Sequence, residues 1–386
     1  MISSAIPKDW KHTTLSSVID LISGQHIQVS DCNTDGRGVP YLTGPSDFEK
    51  GEIRNTKFTE APQVCCKAGD ILLTVKGSGT GTTALAHKDY CISRQLMAVR
   101  PRNADSAFIR FVLEAHADTY NKVSAGLIPG IARGDVLNTR LGIPPLIEQQ
   151  KIGQALQTWS EAIEKTEQLI ASRVKQKAWL LTRAISASGQ TTKLGVFLKQ
   201  VSRPVPKPTE PYWALGIRSH GKGTFQRFVE NPASVDMEEL YAVNRDYLIV
   251  NITFAWEGAI ASVKPEDERC LVSHRFPSYA VNREIADPGF VKYIVNRKAF
   301  FSQLAFISPG GAGRNRVLNK KDFLKLEVSL PSLSEQKRLA QVLGMMDLLI
   351  EKEILQLSAL KIQKRGLMQK LLTGQWRVKL PETAAA

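Results

Sequence analysis

Residues 145–156 read PLIEQQKIGQAL and residues 332–343 read SLSEQKRLAQVL, one helix opening written twice at an offset of 187 positions. Extended over 144–187 and 331–374, the copies align without a gap and share twelve of forty-four residues, among them Pro144/Pro331, Glu148/Glu335, Gln149/Gln336, Leu156/Leu343 and Ile163/Ile350. Proline at the entry suits a first helical turn, and Ser332 with Glu335 three residues on fits a capping box. Apolar residues then recur at alternating steps of four and three: Ile152, Leu156, Trp159 and Ile163 in one copy, Leu339, Leu343, Met346 and Ile350 in the other. Such a seam, held over about four heptads, is the pattern of a coiled coil. Each stripe offers the other a partner.

The segments ahead of the helices have short apolar runs broken by Gly, Pro, Asn and Asp, which predicts mixed α/β domains with irregular sheets. They echo each other: GDILLTV (69–75) answers RDYLIVN (245–251), CISR (91–94) answers LVSH (271–274), and FIRF (108–111) answers FVKY (290–293). The expected organisation is a mixed α+β chain with a pseudo-two-fold internal repeat: a first domain over 1–143, a long helix over 144–188, a second domain over 189–330, a second long helix over 331–376 and a tail over 377–386. The second domain follows the first helix directly and runs directly into the second, so the helices can pack along their length only if they are antiparallel. About 42 helical residues span roughly 60 Å, enough to hold two domains further apart than the roughly 34–36 Å groove repeat of duplex DNA.

A length of 386 residues exceeds one ordinary core. With 43% hydrophobic and 23% charged residues the composition is that of a globular protein. No apolar run approaches the length of roughly 18 residues that a membrane span needs. The opening MISSAIPKDWKHTT has no apolar core of a secretory signal, so a cytoplasmic location is expected. Five cysteines, with no CxxC and no Cys/His spacing of a zinc site, predict free thiols and no metal. The net charge of +14 suits a polyanionic partner. By segment the excess of Lys and Arg over Asp and Glu is +2 over 1–143, +2 over 144–187, +6 over 188–330 and +4 over 331–386.

Local clusters carry that charge. KGSGTGTT (76–83) lacks the GK[ST] ending of a P-loop and no helical pattern follows it. It reads as a hairpin turn, or as a glycine loop that brings Lys76, Ser78 and Thr80 to phosphates. In GIRSHGKGTF (216–225), Arg218, His220 and Lys222 alternate with glycines that let the backbone approach a duplex; Arg is the usual bidentate reader of guanine, and Lys more often meets phosphate. Ser93 with Arg94, and Ser273 with His274 and Arg275, stand at echoing positions between base or phosphate contact and surface ion pairing. Arg314, Arg316, Lys320 and Lys321 read as phosphate anchors or a solvated basic run, and Trp213 and Trp256 as core. The sequence holds no NPPY-like methylation motif, Rossmann fingerprint, HExxH or nuclease-like carboxylate cluster.

The repeated Pro-x-Leu-x-Glu-Gln openings, the closing LMQKLLTGQW (367–376), and the strings GDILLTVKGSGTG (69–81), GLIPGIARGDVL (126–137), VSHRFP (272–277) and GRNRVLNKKDFL (313–324) resemble the specificity subunit of type I restriction-modification systems. The resemblance covers nearly the whole chain. It departs where the first helix closes with AISASG instead of the LLTG of the second. It implies two target-recognition domains that read the halves of a bipartite, asymmetric double-stranded DNA site. The helices, through Glu148, Gln149, Ile152, Leu156, Ile163, Glu335, Gln336, Leu339, Leu343 and Ile350, would form the pair and dock two methyltransferase subunits, which nuclease/translocase subunits join. The chain itself would be non-catalytic and hold no cofactor, with S-adenosylmethionine, ATP and Mg in the partners. The competing readings are a helical scaffold bridging two proteins without nucleic acid, and a nucleotide-binding enzyme built on the 76–83 loop.

Overall fold

The computed structural model describes residues 7–49, 52–54, 56–77, 79–123, 130–187, 191–310 and 316–379. Two compact units divide the chain, Met1–Leu169 with Ile354–Ala386, and Ile170–Glu353. The division falls within both long helices, Leu146–Ala187 and Leu333–Leu372, so each unit holds half of each.

The first unit contains β1 (Lys11–Thr14), β2 (Ile19–Ser23), β3 (Cys32–Asn33), β4 (Val39–Leu42), β5 (Lys57–Thr59), β6 (Cys65–Cys66), β7 (Ile71–Thr74), β8 (Thr83–Leu85), β9 (Tyr90–Ile92), β10 (Leu96–Pro101), helix α1 (Ser106–Val123) and β11 (Arg140–Ile143). A four-stranded sheet runs β8-β7-β10-β2, a five-stranded sheet runs β3-β5-β4-β9-β6, and β1 pairs with β11. Ile71–Thr74 is buried at every position, as a central strand covered on both faces requires. The second unit contains β12 (Thr191–Lys193), β13 (Leu198–Val201), β14 (Pro204–Pro206), β15 (Tyr212–Ile217), β16 (Thr224–Val229), β17 (Glu239–Ala242), β18 (Leu248–Val250), β19 (Ile260–Ser262), β20 (Leu271–Val272), β21 (Ser278–Val281), helix α2 (Pro288–Val295) and β22 (Glu327–Ser329). Its four-stranded sheet runs β19-β18-β21-β13, its five-stranded sheet β14-β17-β20-β15-β16, and β12 pairs with β22. The four-stranded sheets have the same order, strand for strand. In the five-stranded sheets four strands correspond, and the fifth sits at opposite edges: β3 beside β5, β14 beside β17. The three echoing pairs of strings lie in corresponding elements, β7 and β18, β9 and β20, α1 and α2.

Within each unit the long helices run antiparallel. Glu148 meets Arg377 at 2.6 Å and Glu167 meets Lys361 at 2.6 Å in the first; Arg173 meets Glu353 at 2.6 Å and Lys177 meets Asp347 in the second. The seam is dry only at the domain ends. Ile152, Leu156 and Leu371 are buried in the first core, and Leu339 and Leu343 in the second. Ile163 and Ile350 are half-buried, and the neighbouring seam positions carry the ion pairs.

The repeated glutamine explains how each helix holds its domain. Gln149 Nε2 donates to the Pro144 carbonyl and its Oε1 accepts from Asp105 N–H, both at 2.9 Å; Gln336 does the same with Pro331 and Asp287, both at 2.9 Å. Asp105 and Asp287 in turn cap α1 and α2, accepting from Phe108 N at 2.8 Å and Phe290 N at 2.9 Å. Both glutamines are buried, 2% and 1% exposed, so these side chains grip their own domain and present nothing outward. The crossing also needs a glycine. A methyl group on Gly153 would stand 2.9 Å from Ala107 Cβ; in the second unit the glycine is on the other partner, Gly289, where a methyl would stand 3.2 Å from Ala340 Cβ.

The repeated glutamate behaves otherwise. Glu148 is fully buried, accepting Trp10 Nε1 at 3.2 Å and Arg377 Nε and Nη2 at 2.6 and 2.8 Å, and Arg377 also reaches Asp9 at 2.6 Å. Glu335 is exposed, and only half of the expected capping box forms: Glu335 N donates to Ser332 Oγ at 3.4 Å, while the Glu335 carboxylate accepts from the Ser332 hydroxyl at 3.2 Å and not from its backbone N–H. Trp10 and Arg377, the two groups that hold Glu148, both belong to the first unit. The five cysteines are free thiols. Among the described residues no helix is long and apolar enough to cross a membrane, and no cluster of three or more His, Cys, Asp or Glu could hold a metal.

Candidate nucleic-acid interface

In the first unit Val75 N donates to the Gln95 carbonyl and Ile131 N to the Val75 carbonyl, both at 2.8 Å. In the second, Ile252 N donates to the Arg275 carbonyl at 3.0 Å and Leu318 N to the Ile252 carbonyl at 2.9 Å. This shared scheme ties together three segments in each unit: the loop after β7 or β18, the turn before β10 or β21, and the stretch that follows the domain's helices. Those segments carry most of the basic residues singled out in the sequence.

Around the second scheme the candidates converge. Arg275 Nη1 donates to Thr253 Oγ1 at 3.2 Å, and the Arg316 guanidinium lies 5.4 Å from the Trp256 ring centroid. The β15–β16 hairpin joins them, since His220 N donates to the Glu257 carbonyl at 2.7 Å, Gly221 N to the Gly258 carbonyl at 3.0 Å, and Ser219 Oγ to Glu257 Oε2 at 2.7 Å. His220 takes a left-handed φ of 61°, which histidine tolerates better than most residues. Arg218 stacks 5.1 Å over Phe225, whose ring covers Gly216, and donates to the Thr224 carbonyl at 2.6 Å. One edge of its guanidinium is thereby fixed and the side chain remains exposed. Lys222 and His274 are exposed at the same turns, and Lys320 opens the short helix Lys320–Phe323, capped by Asn319. Trp213 is half-buried under Arg269, 4.8 Å away, and Trp256 is half-buried under Arg316.

Around the first scheme, Lys76 forms an isolated bridge with Gly130 and is exposed, as is Arg94 in the adjoining turn. The glycine loop is a hairpin connection between β7 and β8, with Gly81 N donating to the Thr74 carbonyl at 2.8 Å. Thr80 Oγ1 donates to the Gly77 carbonyl at 2.6 Å and Thr82 Oγ1 to the Gly79 carbonyl at 2.7 Å. Both hydroxyl protons are turned into the loop, which leaves Lys76 as its outward cation. Ser93 is buried and donates to the Thr43 carbonyl at 2.5 Å, so it braces the turn. Ser78 and Arg314 lie outside the described residues.

Two buried carboxylates escaped the sequence reading. Asp267 accepts from Thr224 Oγ1 at 2.6 Å and Gln226 Nε2 at 3.0 Å, fixing the base of the β15–β16 hairpin. Asp47 accepts from Thr43 N at 2.6 Å, Thr43 Oγ1 at 2.9 Å and Gly44 N at 3.2 Å. A threonine near an aspartate is too common a pair for a sequence to flag.

Comparison with known proteins agrees with this organisation. The family described as type I restriction modification DNA specificity domain matches residues 7–172 and again 220–358. Two specificity subunits of Methanocaldococcus jannaschii are similar: that of the type I restriction enzyme MjaVIII, 23% identical over 410 aligned positions covering 97% of this chain and 94% of that one, and the putative MjaX subunit, 27% identical over 189 residues covering 47% and 44%. In fold the chain resembles the type I restriction-modification S subunit from M. genitalium, with TM-score 0.59, 15% identity and 99% of both chains covered. A chain from a structural study of complex assembly and conformational transition in the type I system gives TM-score 0.57 at 16% identity, covering 97% and 100%. Two matched copies, each falling on one sheet-and-helix unit, place this chain in the family of type I restriction-modification DNA specificity subunits.

Proposed function

We propose that each unit reads one half of a bipartite, asymmetric DNA target, through Lys76 and Arg94 in the first and Arg218, His220, Lys222, His274, Arg275, Arg316 and Lys320 in the second. The carrying observation is that one backbone scheme presents exposed cations in both units while the side chains differ, which suits two half-sites of different sequence. Lysines meet phosphates and give the salt dependence. Arg218, with one edge held by Phe225 and the Thr224 carbonyl, offers its other donors to a guanine. The long helices dock two methyltransferase subunits, to which nuclease/translocase subunits are added. On the part of the second long helix that belongs to the first unit, Leu355 and Ile362 are exposed seven residues apart, an apolar pair suited to such docking. The chain works in the cytoplasm as the address of the complex, and S-adenosylmethionine, ATP and Mg belong to the partners.

Long-read sequencing of modified adenines tests this, in a methylation-free host expressing the chain with a cognate methyltransferase subunit. One split motif is expected, two short unequal halves around unread bases. Copurification of the two proteins with no modified adenine and no DNA binding would select the protein-bridging scaffold instead.

A further inference from the structure

In each five-stranded sheet one strand runs parallel to its neighbour, β4 along β9 with Cys91 opposite Tyr41, and β15 along β20 with Leu271 opposite Ala214. Each then turns back on itself antiparallel, β4 into β5 with Tyr41 opposite Lys57, and β15 into β16 with Ile217 opposite Thr224. The chain between the limbs is 218–223 in the second unit and 43–56 in the first, so the two excursions leave corresponding places in corresponding sheets. The second carries Arg218, His220 and Lys222. Nothing in the sequence draws attention to the first, because it is longer and lacks the alternation of glycine with basic residues.

The two hairpins are held alike. Each is braced by a buried aspartate that takes the hydroxyl of a threonine at the hairpin base, Asp47 from within the first hairpin with Thr43, and Asp267 from the separate turn Pro265–Asp267 with Thr224. In the first, the connection also closes on itself, the Asp47 carbonyl accepting from Arg54 N at 2.8 Å and Phe48 pairing with Ile53. Each hairpin is fastened to the basic cluster of its own unit: Thr43 to Ser93 beside Arg94 in the first, His220 to Glu257 in the second. Arg54, in the connection just before the returning limb, and Lys57, at the start of that limb, are exposed.

We infer that the first unit reads the bases of its half-site through this hairpin, with Arg54 and Lys57 as its specificity-determining cations and Asp47, whose carboxylate holds the start of the excursion at Thr43 and Gly44, as the positioning residue. The inference rests on the reading of the 216–225 hairpin as a DNA contact. Residues 50, 51 and 55 lie outside the described residues and carry none of it.

The test compares Arg54→Ala, Lys57→Ala, Asp47→Asn and Arg218→Ala, each coexpressed with the methyltransferase subunit, by genome-wide adenine methylation and by the melting temperature of the purified complex. Arg54→Ala and Lys57→Ala are expected to relax or weaken the half of the motif that Arg218→Ala leaves intact, by roughly 5- to 150-fold in relative methylation of sites altered at one base. Asp47→Asn should act on that same half. If Arg218→Ala changes one half while Arg54→Ala and Lys57→Ala change neither, the first hairpin is not a reader and the reading of the second unit stands. If both cationic variants at unchanged melting temperature weaken both halves equally, the inference falls. Silence from all variants overturns both readings.

Discussion

Arg377 closes on Glu148 with two hydrogen bonds of 2.6 and 2.8 Å, joining the tail of the chain to the first turns of a helix 229 residues earlier. The carboxylate is fully buried while the guanidinium is 40% exposed, so the pair is asymmetric: removing the cation leaves a buried charge with only an indole N–H for company. Arg377→Ala is expected to destabilise the protein by about 3 kcal/mol. Glu335→Gln, at the corresponding step of the repeat, touches only an exposed contact with the Ser332 hydroxyl and should cost about 0.5 kcal/mol. Urea unfolding of the two variants checks the contrast.

Acid should loosen the same clasp from its other side. The Arg377 hydrogen bonds hold the Asp9 carboxyl below its ordinary value of 3.8. A depressed folded-state pKa gives stability that is present above the unfolded value and lost as pH falls through the folded one. The contribution therefore fades below pH 3.8, where the carboxylate takes up its proton. Melting temperature measured between pH 2 and 5 should fall more steeply for the native chain than for Asp9→Asn.

Gly153 and Gly289 are the two halves of a compensated exchange. Gly153→Ala would bring a methyl to 2.8 Å from Asp105 Oδ1 and 3.1 Å from Phe108 N, the two atoms that the helix cap holds together. It should cost about 1–3 kcal/mol despite alanine's better helix propensity. Adding Ala107→Gly restores the arrangement found in the second unit and should return part of that loss. A double-mutant cycle by thermal unfolding measures the coupling.

Cys65 lies opposite Cys91 across β6 and β9. Burial of its thiolate, reinforced by the neighbouring thiol, pushes it up to about 11 from 9.0. At neutral pH its thiolate fraction is about a hundredfold below that of an ordinary cysteine, so alkylation should be slow although the residue is exposed. Iodoacetamide labelling followed by mass spectrometry should show a Cys65 rate still rising at pH 10, above the point where the rate of a free thiol levels off.

The repeat was legible because helices advertise themselves locally: the seam from Ile152 to Ile163 and its copy from Leu339 to Ile350 need no knowledge of what they touch. The echoing strings placed β7, β9 and α1 against β18, β20 and α2 for the same reason, since central strands and core-facing helices keep their apolar residues. Gln149 and Gln336 were visible as a pair, but their partners, the amides of Asp105 and Asp287, lie 44 and 49 residues upstream and are backbone atoms that no side-chain pattern encodes. Glu148 and Glu335 show the converse limit, since one residue at one step of one motif is buried in one copy and exposed in the other. Among the candidate contacts, glycine alternation found 216–225, and the lack of it hid 43–56. Thr80 looked like a phosphate ligand by composition and turns its proton inward by geometry.

The glutamine clamp has a consequence for how such a chain changes. Its two bonds join three groups, a side-chain amide, a proline carbonyl and a peptide N–H, and only the first depends on which amino acid stands there. Substitutions across the reading loops alter none of the three, so the joint tolerates any recognition surface mounted on it. A mounting written mostly in main-chain atoms is common hardware, and the two units, sharing it, are free to learn different words.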